Sequence, residues 1–162
     1  RAGLSARCVA RQHRNDGELG EIASLAELPH LLPGADFVIL ALPLTESTRG
    51  IIGPAELDLM NPGGWLINVG RGALADEDAL ASALTANAIG GAALDVFTQE
   101  PLPPEAPWWD LPNVIVSPHM SGDFLGWQQA LGGLFTDQLR RYRAGQPLLN
   151  VVDKKLGYLS RA

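Results

Sequence analysis

Trp65-Leu66-Ile67-Asn68-Val69 is a short apolar run that stops at Gly70-Arg71-Gly72, and a helical stretch opening on Asp76-Glu77-Asp78 follows it. The run suits a strand, and the three acids suit a helix start, where the macrodipole favours negative charge. The same unit recurs on both sides. Upstream, Asp36 to Ala41 is continuously apolar in the middle, the pattern of a strand covered on both faces. Gly53-Pro54 then opens a short helix, with proline at its tolerated first position. Downstream, Ala92 to Phe97 and Val114 to Val116 read as further strands, the second entered through a stiff proline-rich loop, Pro101 to Pro112. A long helix is predicted from about Phe124 to Ala144, with arginines near its C-terminal end and Gly145 closing it. Nearer the start, Ala6 to Ala10 is a candidate strand. Ser24-Leu25-Ala26-Glu27 has the form of a capping box for a helix that ends before Pro33-Gly34. Strands alternating with helices imply βαβ units and a doubly wound, mostly parallel α/β sheet.

Composition excludes several classes. The 162 residues suit one domain, and an apolar fraction of 46% with interspersed charges excludes a disordered chain. The formal net charge is -6, and the one basic block is Arg140-Arg141-Tyr142-Arg143, so nucleic acid is not an expected partner. The apolar run from Phe37 to Leu42 is broken at once by Pro43, too early for a membrane span. The single cysteine, Cys8, allows no internal disulfide and fits a reducing, cytoplasmic setting. It reads as a small core residue of a strand. No Cys/His cluster has metal-ligand spacing, so no metal is expected. His30 reads as surface and His13 as part of an exposed turn. Of Trp108 and Trp109, one is expected to anchor packing and the other to face a partner domain or a substrate mouth.

In a doubly wound sheet, ligands bind outside the C-terminal ends of the strands. The polar residues of interest fall there. Arg11 and Arg14 follow the first strand, Pro43 to Thr48 the second, and Gly70-Arg71 the third; Asp95 closes the fourth and Ser117-Pro118-His119 follows the fifth. Five strand ends are thus expected at one crevice.

Three segments then become specific: Asn68-Val69-Gly70-Arg71-Gly72; Ala93-Leu94-Asp95-Val96-Phe97 leading to Glu100-Pro101; and Asn113-Val114-Ile115-Val116-Ser117-Pro118-His119. In order and spacing they resemble the signature segments of D-2-hydroxyacid dehydrogenases, and the resemblance extends to Asn150-Val151-Val152. It implies a Rossmann-like fold and hydride transfer between a nicotinamide nucleotide and a small 2-keto or 2-hydroxy acid. It also implies a catalytic set. Arg71 would fork onto the substrate carboxylate and lean on its carbonyl. His119 would be the general acid/base, with Glu100 as its anionic partner. The resemblance places Asp95 near the nicotinamide amide. Leu42, Pro43, Thr48, Val69, Gly70, Arg71, His119 and Gly122 complete the cofactor-lining set.

The nucleotide is read from Val9-Ala10-Arg11-Gln12-His13-Arg14. An acid after the second strand of the full sheet selects NAD, whereas arginine accommodates the 2′-phosphate of NADP. Here the acid is missing and Arg11 and Arg14 are present. The stretch is similar to that of the NADPH-preferring glyoxylate and hydroxypyruvate reductases of the family, so NADP is expected over NAD.

The Gly-rich phosphate loop and the first strand of such a sheet are not in the sequence, nor is an upstream substrate domain. Arg1-Ala2-Gly3 reads as the tail of the helix that the loop would open. Residues 1–145 are therefore read as a partial NAD(P)-binding domain, and 146–162 as a segment returning toward the substrate domain of a longer enzyme. Without the central strand the sheet is expected to split. The intact protein is expected to be a homodimer, with Asn87 to Trp109 a contact region. Two rivals share the scaffold. One is a dehydrogenase-like corepressor, a non-catalytic nucleotide-sensing protein. The other is formate dehydrogenase, against which Glu100 argues because that family has glutamine there.

Overall fold

The computed structural model describes residues 3–155 and 157–159. Arg1 and Ala2 of the expected helix tail lie outside the described residues, as do Leu156 and the last three residues. Three short strands come first: β1 (Cys8–Ala10), β2 (Arg14–Asp16) and β3 (Gly20–Ser24). Then follow α1 (Leu28–Leu31), β4 (Phe37–Leu40), α2 (Pro54–Leu59), β5 (Trp65–Asn68), α3 (Glu77–Thr85), β6 (Gly91–Leu94) and β7 (Val114–Val116). The long α4 (Trp127–Arg143) and a small hairpin of β8 (Val152–Asp153) and β9 (Tyr158–Leu159) complete the order.

The centre of the fold is a four-stranded parallel sheet in the order β4-β5-β6-β7. Its register puts Val38, Leu66, Ala92 and Val114 in one row and Leu40, Asn68, Leu94 and Val116 in the next. These rows face a core shared with Leu57 and Met60 of the α2 region and Leu80 and Leu84 of α3. The other face carries Phe37, Ile39 and Ile115, which are 56%, 62% and 59% exposed. The expectation that this strand is covered on both faces is corrected: α2 and α3 cover one face, and β4 alternates exposed and buried. α4 has no buried residue and does not cover the other face.

β1, β2 and β3 form a separate sheet in the order β1-β3-β2, with β1 parallel and β2 antiparallel to β3. No described strand lies between β1 and β4, so the ladder is broken there, in line with the expected split. The β2–β3 hairpin is a second correction. Arg14, expected only to follow the first strand, lies in a second one, because the turn comes later. There the Asp16 carboxylate accepts from the Glu18 and Leu19 amides, and Gly20 takes a φ of 74°.

Local sequence explains the helix ends. Asp76 caps α3 by accepting from the Ala79 amide at 3.0 Å. Glu56 reaches back to the Gly53 amide at 3.1 Å. Gly145, with φ 65°, ends α4: its amide and that of Gln146 bond back to the Tyr142 and Arg141 carbonyls. At Ser24 the capping contact forms, with Glu27 accepting from the Ser24 amide at 2.8 Å. The regular helix beyond it is short, however. 3-10 turns at Leu25–Glu27 and Leu32–Gly34 flank α1, and Pro29 and Pro33 supply no amide to lengthen it.

Candidate active site

Four of the five expected strand ends sit side by side. The ladder continues past each strand, with the Val69 amide on the Leu40 carbonyl, the Asp95 amide on Asn68 and the Ser117 amide on Leu94. The loops after β4, β5, β6 and β7 therefore share one edge. The fifth end, at Arg11, belongs to the separate sheet, and no ladder links it to this edge.

The loop after β5 is shaped by Asn68, which is 1% exposed. Its carboxamide oxygen accepts from the Gly70 amide at 3.1 Å, and its NH2 donates to the Arg71 carbonyl at 3.0 Å. These bonds fix the turn that carries Arg71, whose side chain is exposed and donates to the Gly70 carbonyl at 2.6 Å. Gly72 follows with no room for a side chain. A Cβ there would lie 2.1 Å from the Phe97 carbonyl carbon and 2.2 Å from the Thr98 nitrogen. The missing Cβ lets this loop rest on the backbone that leads from β6 to Glu100.

Glu100 is held by the same backbone. Its Oε1 accepts from the Phe97 amide at 2.8 Å, and its Oε2 lies 2.8 Å from His119 Nδ1. Glu77, at the start of α3, accepts from the next amide, Thr98, at 2.6 Å. The hydrogen bond with His119, then that from Phe97, lowers the Glu100 pKa below the usual carboxylate value, and the Arg71 charge adds to the effect. His119 adopts φ 55°. With Nδ1 on a carboxylate, Nε2 is the nitrogen left to face a reactant.

Asp95 is buried at the end of β6. One oxygen accepts from the Ser117 hydroxyl and from the Met120 amide at 2.9 Å, and the other accepts from the Ser121 amide at 2.9 Å. Burial pushes its pKa up, but the bonds from Ser117, Ser121 and Met120 outweigh it and hold the carboxyl far below the usual range. An open cavity of about 560 Å³ lies over this edge, lined by Asp95, Phe97, Glu100, Leu102, Trp109 and His119 among others. Trp108 is buried against Phe97, and Trp109 is half exposed and donates from its ring nitrogen to the Pro103 carbonyl. Arg71 is not in the lining of this cavity.

The remaining expected residues are spread out. Leu42 is half-buried, Pro43 is exposed and Val69 is 37% exposed. Gly70 is buried and Gly122 is open to solvent. The Thr48 hydroxyl is buried and used inside its own loop: it donates to the Pro43 carbonyl and accepts from the Thr45 amide, both at 2.8 Å. Arg11 lies with its guanidinium 5.9 Å from the centre of the Tyr158 ring. Arg14 is exposed on β2, and His13 beside it lies 3.4 Å from Glu21 and 3.6 Å from Glu27. Among the described residues, no group of three His, Cys, Asp or Glu side chains is placed to hold a metal, and no helix is long and apolar enough to cross a membrane.

Sequence reasoning gave Asn68, Glu77, Ser117 and Ser121 no part in shaping the site. A polar residue ending an apolar strand was a usable signal for Asn68. The other three act through contacts distant in sequence.

The family model of the D-isomer specific 2-hydroxyacid dehydrogenase NAD binding domain matches residues 2–121. The chain belongs to the D-isomer-specific 2-hydroxyacid dehydrogenases. It is 40% identical over 147 residues to a glyoxylate/hydroxypyruvate reductase B of Pectobacterium carotovorum, covering 91% of this chain and 46% of the relative. The chain spans about half the length of the curated relatives it matches. Among solved dehydrogenases of the family, one from Xanthobacter autotrophicus in complex with NADPH and MES superposes with a TM-score of 0.83 at 37% identity, covering 94% of this chain and 62% of that one. An NADPH-dependent glyoxylate/hydroxypyruvate reductase from Sinorhizobium meliloti, in complex with NADP and sulfate, gives the same score and identity over 93% of this chain and 48% of that one.

Proposed function

We propose that this chain is the cofactor-binding and proton-transferring half of an NADPH-dependent reductase of small 2-keto acids such as glyoxylate and hydroxypyruvate. The observation that carries the reading is the His119 Nδ1–Glu100 Oε2 contact at 2.8 Å, on a carboxylate that also feels the Arg71 charge. A bound nicotinamide nucleotide supplies the hydride. Arg71 binds the substrate carboxylate through its fork and polarises the adjacent carbonyl. His119 gives a proton from Nε2 to the carbonyl oxygen during reduction and takes it back from the hydroxyl during oxidation. Glu100 holds the ring by Nδ1 and stabilises the imidazolium.

The residues fit the nucleotide as a donor set. Val69 and the buried Gly70 present backbone at the edge, where a Cβ on Gly70 would meet Leu74 at 2.6 Å. Leu42, Pro43 and Gly122 line the same edge, and Thr48 acts by holding its loop. The family resemblance gives Asp95 a place near the nicotinamide amide. Arg11 and Arg14 offer charge to a 2′-phosphate. Residues 1–145 form the nucleotide-binding part and 146–162 lead toward a substrate domain. The intact protein is a cytoplasmic homodimer in contact through Asn87 to Trp109.

Steady-state turnover of the full-length protein with NADPH and with NADH, over glyoxylate, hydroxypyruvate and larger 2-keto acids, tests the reading. Turnover with NADPH preferred is expected. A clear NADH preference overturns the NADP assignment. No turnover with any acid overturns the reductase and favours a nucleotide-sensing corepressor.

A further inference from the structure

The functional reading gives Asp95 a place near the cofactor, but its contacts within the chain point elsewhere. We infer that Asp95 is the positioning residue of the His119 loop, a carboxylate clamp that sets the backbone from which the general acid projects. This rests on the reductase reading for its kinetic consequences only.

The clamp spans both sides of the histidine. Ser117 precedes His119 by two residues, and Met120 and Ser121 follow it directly. All three donate to Asp95, two to one oxygen and one to the other. Asp95 is 4% exposed, so water competes little for these bonds. His119 itself stands at φ 55°, a left-handed conformation uncommon for a residue with a side chain. The three bonds close a short loop around that residue and supply the constraint. Glu100 then acts on the ring alone, through Nδ1. The histidine is thus held twice: its backbone by Asp95 from the end of β6, and its ring by Glu100 from the loop beyond. The Arg71 charge also acts on Glu100.

Chemistry separates a clamp from a cofactor contact. An ionised carboxylate accepts at both oxygens, as three donors require. Asp95→Asn keeps the shape but turns one acceptor into an NH2 donor. That donor faces either the Ser121 amide or the Ser117–Met120 pair, so at least one bond becomes a donor–donor clash. Ser117→Ala removes one bond and leaves the carboxylate itself unchanged.

The test uses full-length wild type, Asp95→Asn and Ser117→Ala, with three measurements. These are kcat at saturating NADPH, the NADPH dissociation constant by fluorescence, and the amide shifts and exchange rates of Met120 and Ser121 by NMR. In Asp95→Asn, kcat is expected to fall about 100-fold, the cost of a misplaced catalytic group, and NADPH affinity to change less than about threefold. The Met120 and Ser121 amides are expected to lose their charge-assisted downfield shifts and their slow exchange. Ser117→Ala is expected to lower kcat about tenfold, the scale of one bond to a charged group, with NADPH affinity again within about threefold and smaller shifts of the Met120 and Ser121 amides, which keep their bonds to the carboxylate. NADPH binding weakened more than about tenfold with kcat retained overturns the clamp in favour of a cofactor contact. Amide signals that do not move in either variant overturn it too. If Asp95→Asn does not fold, Ser117→Ala carries the same discrimination. If the wild type turns over no 2-keto acid, the reductase reading fails, while the amide signals still decide the clamp.

Discussion

His119 and Glu100 meet at one distance, and that distance sets the kinetic expectations at the residue scale. His119→Gln removes the proposed proton donor and is expected to lower kcat by about 100- to 10,000-fold. Glu100→Gln keeps an acceptor for the Phe97 amide but loses the charge. Its kcat is expected to fall less than in His119→Gln, with the bell of the pH–rate profile displaced. Steady-state kinetics of both variants across pH check this, and unchanged profiles in Glu100→Gln would falsify the pairing. Arg71→Lys keeps the charge but not the fork. It is expected to raise the KM for the keto acid about tenfold or more, the scale of one charged hydrogen bond, while the NADPH KM stays near its original value.

The same residues set an acid limit. Glu100 and Asp95 both have folded pKa values below their ordinary ones. A group depressed in this way adds stability that is complete above its unfolded pKa and is lost as pH falls through the folded one. Denaturant melts are therefore expected to be level from neutral pH down to about pH 5 and to weaken below it. Glu100→Gln and Asp95→Asn should each show a shallower acid decline than wild type. An equally steep decline in both would mean that other carboxylates carry the effect.

At the scale of elements, caps and close approaches matter more than propensity. Asp76→Ala removes the cap of α3 and is expected to cost about 1 kcal/mol, read as a lower urea midpoint. Activity should survive, because Asp76 touches nothing at the site. Gly72→Ala is expected to behave differently. Its methyl group would collide with the Phe97–Thr98 backbone, so the loops bearing Arg71 and Glu100 must separate. Both stability and kcat should fall, and a Gly72→Ala enzyme with wild-type kcat would show that the close approach is not needed. The helix starts and the Gly145 stop were legible because each is written in a few adjacent residues. The β2–β3 hairpin was not, since its strand residues Arg14, Asn15, Glu21 and Ala23 carry no strong β pattern. Pairing with β1 makes β3 a strand.

For the whole molecule, the governing fact is a parallel sheet with one covered face and an open β4 edge. Exposed apolar rows and unpaired edges favour association. The 162-residue chain by itself is expected to associate with rising concentration, seen by sedimentation or light scattering. Ile39→Lys, on the uncovered face, should suppress it without disturbing the core row of Val38 and Leu40. An Ile39→Lys chain that associates as strongly as the parent would locate the contact elsewhere.

The alternation of apolar runs with helix starts was sufficient to set the α/β class, since a buried parallel strand and a capped helix leave marks within a few residues. The motifs at Asn68–Gly72, Ala93–Phe97 and Asn113–His119 likewise marked the family before any coordinates. Tertiary structure decided the rest. The contact between Glu100 and His119, the seating of Gly72 on Phe97, and the grip of Asp95 on Ser117, Met120 and Ser121 join residues that lie 19 to 26 positions apart. Which face of β4 is covered, and that β1 stands apart from β4, also depend on neighbours rather than on the strand's own residues. Local sequence carries local hydrogen bonding and periodicity. Distances across strand ends exist only once the sheet has brought its loops to one edge.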